Sequence, residues 1–391
     1  MELARSKSFV EEAQALLDTM PVLDVVMPDD SEGQERIETT ARQIIEHFLP
    51  DFCENGLTVK QYTDGITNKL FKFSSVDKAG ETVLLRIYGV NTELMIDREQ
   101  ELLVLMSLSK HGLVQPVYGR FTNGILYGFV AGTVFTTEDI RNPRLGALVA
   151  KQLARFHVIG REHVVVKKPS KEARLMTTLR TWLKVVSDIP ELASVEVSKE
   201  EVKEGAFELA RYRREVEALD KTLQILPSRV VFCHNDLLAP NIILASETEV
   251  KFIDFEYGSF NDRAFDIANH FCEMMGFQVD RSLYPSPEHQ RQWVRAYVEE
   301  SRKQEEALGY VPELSLDEET AQLAETVTHY EAAAHLYWGI WAVVQDHYSN
   351  ITDFDFLAYS KMRLKVFQEL RAVGAVHTDE TRPVTPARPA T

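Results

Sequence analysis

Few cysteines, no excess of positive charge and no long apolar run mark this sequence of 391 residues. Its three cysteines, Cys53, Cys233 and Cys272, lack metal-ligand spacing, which argues against a disulfide framework or a zinc site and fits reduced, buried thiols. Because 60 acidic residues outnumber 43 basic ones, nucleic-acid or anionic-membrane binding is disfavoured as the main activity. No apolar run reaches about 18 residues and the first residues lack an apolar core, so we expect a cytoplasmic protein without a membrane span.

The pattern of the chain changes near residue 140. Strand-like runs at 58–63, 69–74, 83–88, 117–121 and 125–130 surround one helix near 96–109. Helical spacing then begins over 143–157, where we interpret His157 as a structural histidine at the helix end. Residues 198–226 and 318–348 are each predicted to form one amphipathic helix or a pair, and a last helix lies near 356–372. Three short strands are predicted at 230–233, 241–244 and 250–253.

These patterns predict an α+β protein with a protein-kinase-like, two-lobed fold. The small β-rich N-terminal lobe would span 36–130 and bind nucleotide, and the larger helical lobe would span 131–375 and hold the catalytic and substrate residues. Residues 1–35 mix Pro, Asp and Glu with short apolar pieces, and residues 376–391 carry Pro and Thr without periodicity. We expect the N-terminal segment to be loosely held and the C-terminal tail to be disordered.

The central motif lies in FCHNDLLAPN, residues 232–241, which has the form His-x-Asp-x-x-x-x-Asn. Phosphoryl transfer from ATP needs an acceptor for the proton of the attacking hydroxyl and oxygen ligands for Mg²⁺. Asp236 is the candidate base and Asn241 a candidate metal ligand, while Asp254 supplies a further carboxylate. The residues between Asn241 and Asp254 read as a hairpin, which would bring both to one end. The sequence therefore predicts an ATP- and Mg²⁺-dependent kinase.

The segment that follows, DFEYGSFNDRAFDIANHFCE at 254–273, extends the motif. It resembles the choline/ethanolamine kinase family, whose signature is Asp-x-Glu followed by Asn, Asp and His-x-x-Glu, and the similarity spans roughly residues 55–372. The resemblance implies that Asp254 binds Mg²⁺, that Glu256 supports the metal shell and that Glu273 faces a cationic nitrogen of the substrate. We interpret Asp266 and His270 as buried groups that fasten this segment by hydrogen bonds.

Other short segments are similar to the ethanolamine branch of that family. They are DLL at 236–238, NII at 241–243, SLYP at 282–285 and DFDFL at 353–357. Choline kinases more often carry Gln two residues after the catalytic Asp and a Tyr near the position of Phe356. The resemblance thus implies ethanolamine as the substrate, with choline as the alternative. It also implies a role in phosphatidylethanolamine synthesis and suggests a homodimer.

Nucleotide-binding candidates lie in the first lobe. A turn within residues 63–71 by itself fits a plain hairpin. The resemblance implies that it lays backbone N–H groups and the Thr67 and Asn68 side chains on the triphosphate. Arg86 points to the strand face opposite Val83 and occupies the place of a phosphate-binding lysine. Its carboxylate partner would lie on the next helix. Glu99 and Glu101 both satisfy the spacing, and we prefer Glu101.

The adenine base and the substrate nitrogen have candidate sites as well. Phe129 and Val130 lie where the chain crosses between the lobes, and they either cover adenine or belong to a plain edge strand. Trp338 and Trp341, three residues apart, share a helix face, and Tyr359 follows on the next helix. Aromatic faces attract ammonium groups. Helical spacing alone fits aromatic residues of a core, whereas the family resemblance implies a substrate pocket. Its predicted residues are Asp236, Tyr257, Glu273, Trp338, Trp341 and Tyr359.

Three alternatives compete with an ethanolamine kinase. A choline kinase would share every catalytic residue and differ only around the nitrogen. A kinase of aminoglycosides or another sugar-like substrate should lack the extension from Asn261 to Glu273, which is present. A non-catalytic module of kinase shape would have lost Asp236, Asn241 or Asp254, and all three remain.

Overall fold

The computed structural model describes residues 2–28, 32–52, 56–62, 68–76, 81–89, 97–167, 171–189, 208–349 and 351–377. Six strands form one sheet in the N-terminal part, in the order β1-β5-β6-β4-β3-β2. β1 pairs in parallel with β5 and the other pairs are antiparallel. The strands are β1 (Val22–Leu23), β2 (Leu57–Tyr62), β3 (Asn68–Ser75), β4 (Thr82–Tyr88), β5 (Val117–Phe121) and β6 (Gly124–Gly128).

The two faces of this sheet have different roles. Strand alternation in β4 directs Val83, Leu85 and Ile87 into a core with helix α2 (Gln34–Phe48). Leu84 and Arg86 face the other way, into a cavity below the sheet. One face therefore stabilises the lobe, and the other is available for a ligand.

Part of the N-terminal segment that we expect to be loosely held forms regular secondary structure. Helix α1 (Glu2–Asp18) packs against helix α3 (Arg98–Ser109), and Leu16 and Leu17 are buried in the larger core. β1 then extends the sheet at its edge. The short apolar pieces become structured because α3 and β5 cover them, a tertiary effect that local composition does not reveal.

Helices dominate the remainder of the chain. They are α4 (Thr137–Arg141), α5 (Pro143–His163), α6 (Leu175–Ser187), α7 (Leu209–Leu223), α8 (Arg263–Glu273), α9 (Pro287–Ala307), α10 (Leu316–Thr328), α11 (Glu331–Tyr348) and α12 (Phe356–His377). The strands are β7 (Thr133–Val134), β8 (Val230–Cys233), β9 (Ile242–Ser246), β10 (Glu249–Phe252) and β11 (Ser259–Asp262). Within the described ranges, none of the helices combines the length and apolar character needed to cross a membrane. The predicted α+β, two-lobed class is confirmed.

Several elements differ from the sequence prediction. Of the two segments predicted as one helix or a pair, 318–348 forms a pair, and 198–226 is described only as α7, since 198–207 lie outside the described residues. The strand β11 and the helices α6, α8 and α9 were not predicted. The expectation that His157 ends its helix is wrong, because α5 continues to His163 and buries His157 completely. Of the predicted C-terminal tail, residues 378–391 lie outside the described residues.

Candidate active site

A cavity of about 670 Å³ lies beneath the N-terminal sheet, and residues from both lobes line it. The sheet contributes Leu84, Arg86 and Tyr127, among others. The helical lobe contributes most of the residues that carry the sequence motifs. Those in the lining are Asp236, Asn241, Asp254, Glu256, Tyr257, Glu273, Trp338, Trp341 and Tyr359. The cavity is large enough for a nucleotide and a small alcohol together.

The β9–β10 hairpin brings Asn241 and Asp254 to one end. Phe252 pairs with Ile242, and the Ile253 N–H donates to the Asn241 carbonyl at 3.0 Å, so Asp254 follows directly beside Asn241. The Asn241 Nδ2 donates to the backbone carbonyl of Asp236 at 2.8 Å and to its Oδ2 at 3.2 Å. The predicted hairpin is confirmed, and it sets the three polar residues next to one another.

The His234 side chain connects the backbone at Asp236 with the strand that leads to Asp254. Its Nε2 donates to the Ile253 carbonyl at 2.9 Å, which leaves Nδ1 to accept the Asp236 N–H at 3.3 Å. The ring is fully buried, and burial lowers its pKa from the ordinary value, so it remains neutral in this role. The first residue of His-x-Asp therefore positions Asp236 relative to the strand that precedes Asp254.

The backbone around Asp236 is unusual. Asn235 has φ of 64° and Asp254 has φ of 63°, both in the left-handed region that non-glycine residues rarely adopt. The Asn235 side chain compensates by donating to the Tyr257 carbonyl and the Ser259 hydroxyl, each at 2.9 Å. Such conformations persist only where surrounding contacts enforce them, and they concentrate at functional sites.

Side chains of helix α8 hold the loop at residues 234–237 in place. Asp266 accepts the backbone N–H groups of His234 and Asn235, each at 2.8 Å, and the His157 Nε2 at 2.9 Å. The His270 Nδ1 donates to the Leu237 carbonyl at 2.8 Å. The predicted fastening role of Asp266 and His270 is confirmed.

An acidic cluster includes Asp254, which directly follows the hairpin. Oxygen atoms of Glu101, Asp254 and Glu256 lie within 4.8 Å of one another. Arg86 pairs with Glu101 and lies 3.6 Å from Asp254, whereas Arg98 bridges Glu101 at 3.0 Å and Glu256 at 3.1 Å. Arg86 thus selects Glu101 over Glu99, the alternative that spacing left open.

Burial and mutual repulsion disturb the acids of the site. Burial, then the charges of Asp254, Glu273 and Glu256, raises the pKa of Asp236 well above its ordinary value. Burial and Glu256 raise the pKa of Asp254 to about 8, although Arg86 opposes the shift. The Oδ1 of Asp254 is buried and has no hydrogen-bond partner within the described ranges. Converging carboxylate oxygens of this kind suit Mg²⁺, which prefers oxygen ligands, so the residues present fit the predicted ion.

The upper part of the cavity is an apolar slot. Leu84, Leu105, Val114 and Ile125 line it together with Phe129, and Val130 lies beside them. Lys72 sits over the Phe129 ring, 4.2 Å from its centroid. A flat base fits such a slot. Thr67 lies outside the described residues, and Asn68 begins β3 with a side chain that is not described, so the predicted triphosphate turn stays a prediction.

The lower part of the cavity is aromatic. The Trp341 Nε1 donates to the Tyr257 hydroxyl at 2.8 Å, and the Trp338 Nε1 donates to the Asn269 side chain at 2.7 Å. Trp338 and Trp341 meet edge to face, with centroids 5.2 Å apart. Glu273 and Tyr359 complete this part of the lining. Hydrogen bonds and ring contacts therefore fix the orientations of the two tryptophan rings, in a lining that also includes the partly buried carboxylate of Glu273.

Two arginines that contact predicted site residues are not among the residues predicted from the sequence. Arg98 contacts Glu256 from helix α3, 158 positions earlier in the chain, and no local pattern signals that contact. Arg363 pairs with Glu273 and donates from Nε to the Tyr359 hydroxyl at 2.8 Å. A signal for Arg363 existed, because it follows Tyr359 by four residues on one helix and so shares its face.

The comparisons with known proteins agree with this geometry. A family model described as choline/ethanolamine kinase matches residues 59–368. The chain belongs to the choline/ethanolamine kinase family. It is 35% identical to Ethanolamine kinase 1 of Mus musculus, over 90% of this chain and 94% of the mouse protein.

Solved structures of family members have the same fold. An ethanolamine kinase from Plasmodium vivax aligns with a TM-score of 0.71 and 27% identity, over 93% of this chain and 95% of that one. A choline kinase from Cryptosporidium parvum aligns with a TM-score of 0.69 and 21% identity, over 87% and 97% of the two chains. The protein-kinase-like fold predicted from the sequence is thereby confirmed.

Proposed function

We propose that this protein is an ethanolamine kinase, which transfers the γ-phosphoryl group of ATP to the ethanolamine hydroxyl and releases phosphoethanolamine and ADP. One observation carries the proposal: a single cavity is lined both by the residues suited to phosphoryl transfer, Asp236, Asn241 and Asp254, and by the partly buried carboxylate of Glu273 with aromatic rings. The similarity to curated ethanolamine kinases over most of the chain supports the same conclusion.

The nucleotide would enter the apolar slot with its phosphates toward Arg86. Adenine would lie between Leu84 and Ile243, next to Phe129 and Val130, in contact with the cavity wall. A guanidinium offers phosphate two parallel hydrogen bonds, and Glu101 fixes the orientation of Arg86. Asn241, Asp254 and Glu256 would hold Mg²⁺, which neutralises the triphosphate charge when bound.

Asp236 would orient the substrate hydroxyl and accept its proton. Its carboxylate lines the cavity, and Asn241 holds one of its oxygens at 3.2 Å. Burial favours the neutral acid, so the residue is a better proton acceptor than an exposed aspartate. Positioning and charge neutralisation would supply most of the rate enhancement, as in other phosphoryl transfers.

The ammonium end of ethanolamine would lie between Glu273 and the rings of Tyr257, Trp341 and Tyr359. A primary ammonium carries three N–H donors, and the Glu273 carboxylate can accept one of them. Choline is the second candidate, because its trimethylammonium group could be held by the same aromatic faces. Choline cannot donate a hydrogen bond to Glu273, and its methyl groups add bulk.

The remaining parts of the proposal rest on the family resemblance. We infer a cytoplasmic enzyme that contributes to phosphatidylethanolamine synthesis and forms a homodimer. Its ligands would be ATP with Mg²⁺ and the amino-alcohol, and the excess of acidic residues argues against nucleic acid as a partner.

Turnover of the two alcohols by the purified protein tests the substrate. Kinetics with Mg·ATP and either ethanolamine or choline should give a higher kcat/KM for ethanolamine, by on the order of 10- to 100-fold, because a hydrogen bond to a charged group has that effect. Equal or better turnover of choline would contradict the ethanolamine assignment while leaving the kinase assignment intact. Turnover of neither alcohol would contradict both.

A further inference from the structure

A buried arginine lies directly behind the proposed nitrogen pocket. The Arg363 side chain is 1% exposed, and it extends from α12 toward α8. Its Nη2 pairs with Oε1 of Glu273, and its Nε donates to the Tyr359 hydroxyl at 2.8 Å. Both partners line the cavity, but Arg363 does not. It therefore touches two of the residues proposed to surround the ammonium group and is itself screened from the substrate.

A positive charge at this position needs an explanation. The pocket is proposed to bind a cation, and a guanidinium close to it opposes that binding by Coulomb repulsion. A buried ion pair is also weak evidence for a stabilising role, because removing both charges from water offsets their attraction. Neither attraction of the substrate cation nor stabilisation by the ion pair accounts for Arg363. The remaining explanation is the geometry that its hydrogen bonds impose.

The ion pair gives the two oxygens of the Glu273 carboxylate different surroundings. Oε1 is occupied by Arg363, while Oε2 has no hydrogen-bond partner among the described residues. Because Glu273 lines the cavity, the second oxygen is left for a ligand. A guanidinium is planar and presents its donors in a fixed fork, so contacts from Nε and Nη2 set Tyr359 and Glu273 at a defined separation.

The helix that carries Arg363 is itself held firmly. The Ser360 hydroxyl donates to the Gly339 carbonyl at 2.8 Å, which ties α12 to α11. Gly339 permits this approach, since a Cβ there would lie 2.6 Å from the Leu364 side chain. α11 carries Trp338 and Trp341. The fork of Arg363 is thus anchored to the same helix that supplies the aromatic wall.

We propose that Arg363 is a positioning residue, which holds Glu273 and Tyr359 so that one carboxylate oxygen accepts an N–H of a primary ammonium, and which thereby favours primary over trimethylated amino-alcohols. The proposal rests on the proposed function and extends it to a residue outside the cavity. A purely structural ion pair would affect folding but would leave substrate selection unchanged.

Arg363→Gln and Arg363→Lys test this, with Arg302→Gln as the control. Arg302 is also an arginine of low exposure paired with a carboxylate, Glu319 at 2.9 Å, but it does not line the cavity or contact Glu273. Arg363→Gln should raise the KM for ethanolamine by on the order of 10-fold, because the hydrogen bond to the charged group is lost or misaligned. The value of kcat and the KM for ATP should change little, and Arg363→Lys should restore part of the loss.

Selectivity separates positioning from simple damage. The ratio of kcat/KM for ethanolamine to that for choline should fall in Arg363→Gln, since choline makes no such hydrogen bond. Arg302→Gln should lower Tm without changing this ratio. If Arg363→Gln fails to fold, Tyr359→Phe takes its place: it removes the acceptor of Nε, keeps the ring, and should raise the KM for ethanolamine.

Three results would overturn the proposal. The first is an unchanged KM for ethanolamine in Arg363→Gln, and the second is a lower KM in that variant. The third applies if Arg363→Gln does not fold, and it is an unchanged KM for ethanolamine in Tyr359→Phe. A fall would mean that Arg363 acts only by repelling the cation. The wild-type enzyme distinguishes this failure from that of the proposed function: if it phosphorylates neither alcohol both fail, whereas turnover of ethanolamine with insensitive variants removes the role of Arg363 alone.

Discussion

The carboxylate of Asp266 accepts the backbone N–H of Asn235 at 2.8 Å and so holds the residue that directly precedes Asp236. The contact matters because Asn235 has a left-handed backbone, with φ of 64°. Asp266 binds the His234 N–H and His157 with its other oxygen. Although burial opposes the charged form, the hydrogen bond from His157 helps to hold the pKa of Asp266 below its ordinary value. Helix α8 thus determines where the catalytic loop lies.

Asp266→Asn should weaken both folding and catalysis. The amide has one acceptor oxygen in place of two and directs an NH₂ group at an N–H donor, so one buried donor loses its partner. The free energy of unfolding should fall by about 1.5–3 kcal/mol, as for a lost hydrogen bond to a charged group. Guanidinium denaturation and kcat of the folded fraction check this. Unchanged kcat would show that the loop does not depend on Asp266.

Asp236→Asn tests the chemistry itself. The substitution keeps the shape of the side chain and removes the proton acceptor, which typically contributes ~10²–10⁴-fold to the rate. We expect kcat to fall by that order while the Tm and the affinity for ATP stay near those of the wild type. Calorimetric titration with nucleotide provides the control. Near-normal kcat would remove Asp236 from the role of base.

Asp254→Ala should act on the nucleotide rather than on the alcohol. Asp254 lies in the acidic cluster with Glu101 and Glu256, and its Oδ1 has no hydrogen-bond partner in the part of the chain that the structure describes. Loss of this carboxylate should weaken binding of Mg·ATP at least about 10-fold, which is the effect of removing even an outer-shell partner of a metal. Binding of ATP with excess EDTA should change far less. Equal Mg·ATP affinity in both proteins would contradict the metal assignment.

Local motifs could be predicted from the sequence because short spacings set short-range geometry. The hairpin between Asn241 and Asp254 follows from the alternation and turn residues of one segment, and the helix spacing of Trp338 and Trp341 places both in the cavity lining. The choice between Glu99 and Glu101 could not be made in this way. It depends on how α3 is rotated against β4, and in the structure Glu99 turns to Lys167 at 2.8 Å.

Helix α8 escaped prediction for a related reason. Its buried positions include Asp266, Asn269 and His270, so the apolar periodicity that signals a helix is interrupted by polar groups facing the catalytic loop. Each of these residues has a hydrogen-bond partner far away in the sequence. The polar residues that hold the catalytic loop therefore also obscure the helical pattern of α8 in the sequence.

Glu273→Gln should change substrate preference more than rate. The glutamine oxygen can still accept from Arg363, so the pocket should keep its shape, but the negative charge is lost. The kcat/KM for ethanolamine should fall on the order of 10- to 100-fold, and any activity on choline should fall less. Kinetics with both alcohols on the wild type and the variant check this. An equal loss for both would mean that Glu273 acts only through unspecific attraction.

Stability should depend on pH through His270, which does not line the cavity. His270 is fully buried, its Nδ1 lies 2.8 Å from the Leu237 carbonyl, and burial lowers its pKa to about 4. In the unfolded chain a histidine has a pKa of about 6.5, so between these values the unfolded state binds the additional proton. The contribution is therefore present above about pH 6.5 and is lost as the pH falls toward 4, by about 2 kcal/mol at about pH 5. His270→Asn keeps a donor for the Leu237 carbonyl and cannot titrate. We expect it to be less stable than the wild type at neutral pH. Its free energy of unfolding should nevertheless fall less steeply as the pH is lowered, with a slope that differs by about one bound proton.

Guanidinium denaturation of both proteins from about pH 7.5 to about pH 5 measures the two slopes. Parallel curves would mean that His270 is protonated in the folded enzyme or is not the titrating group.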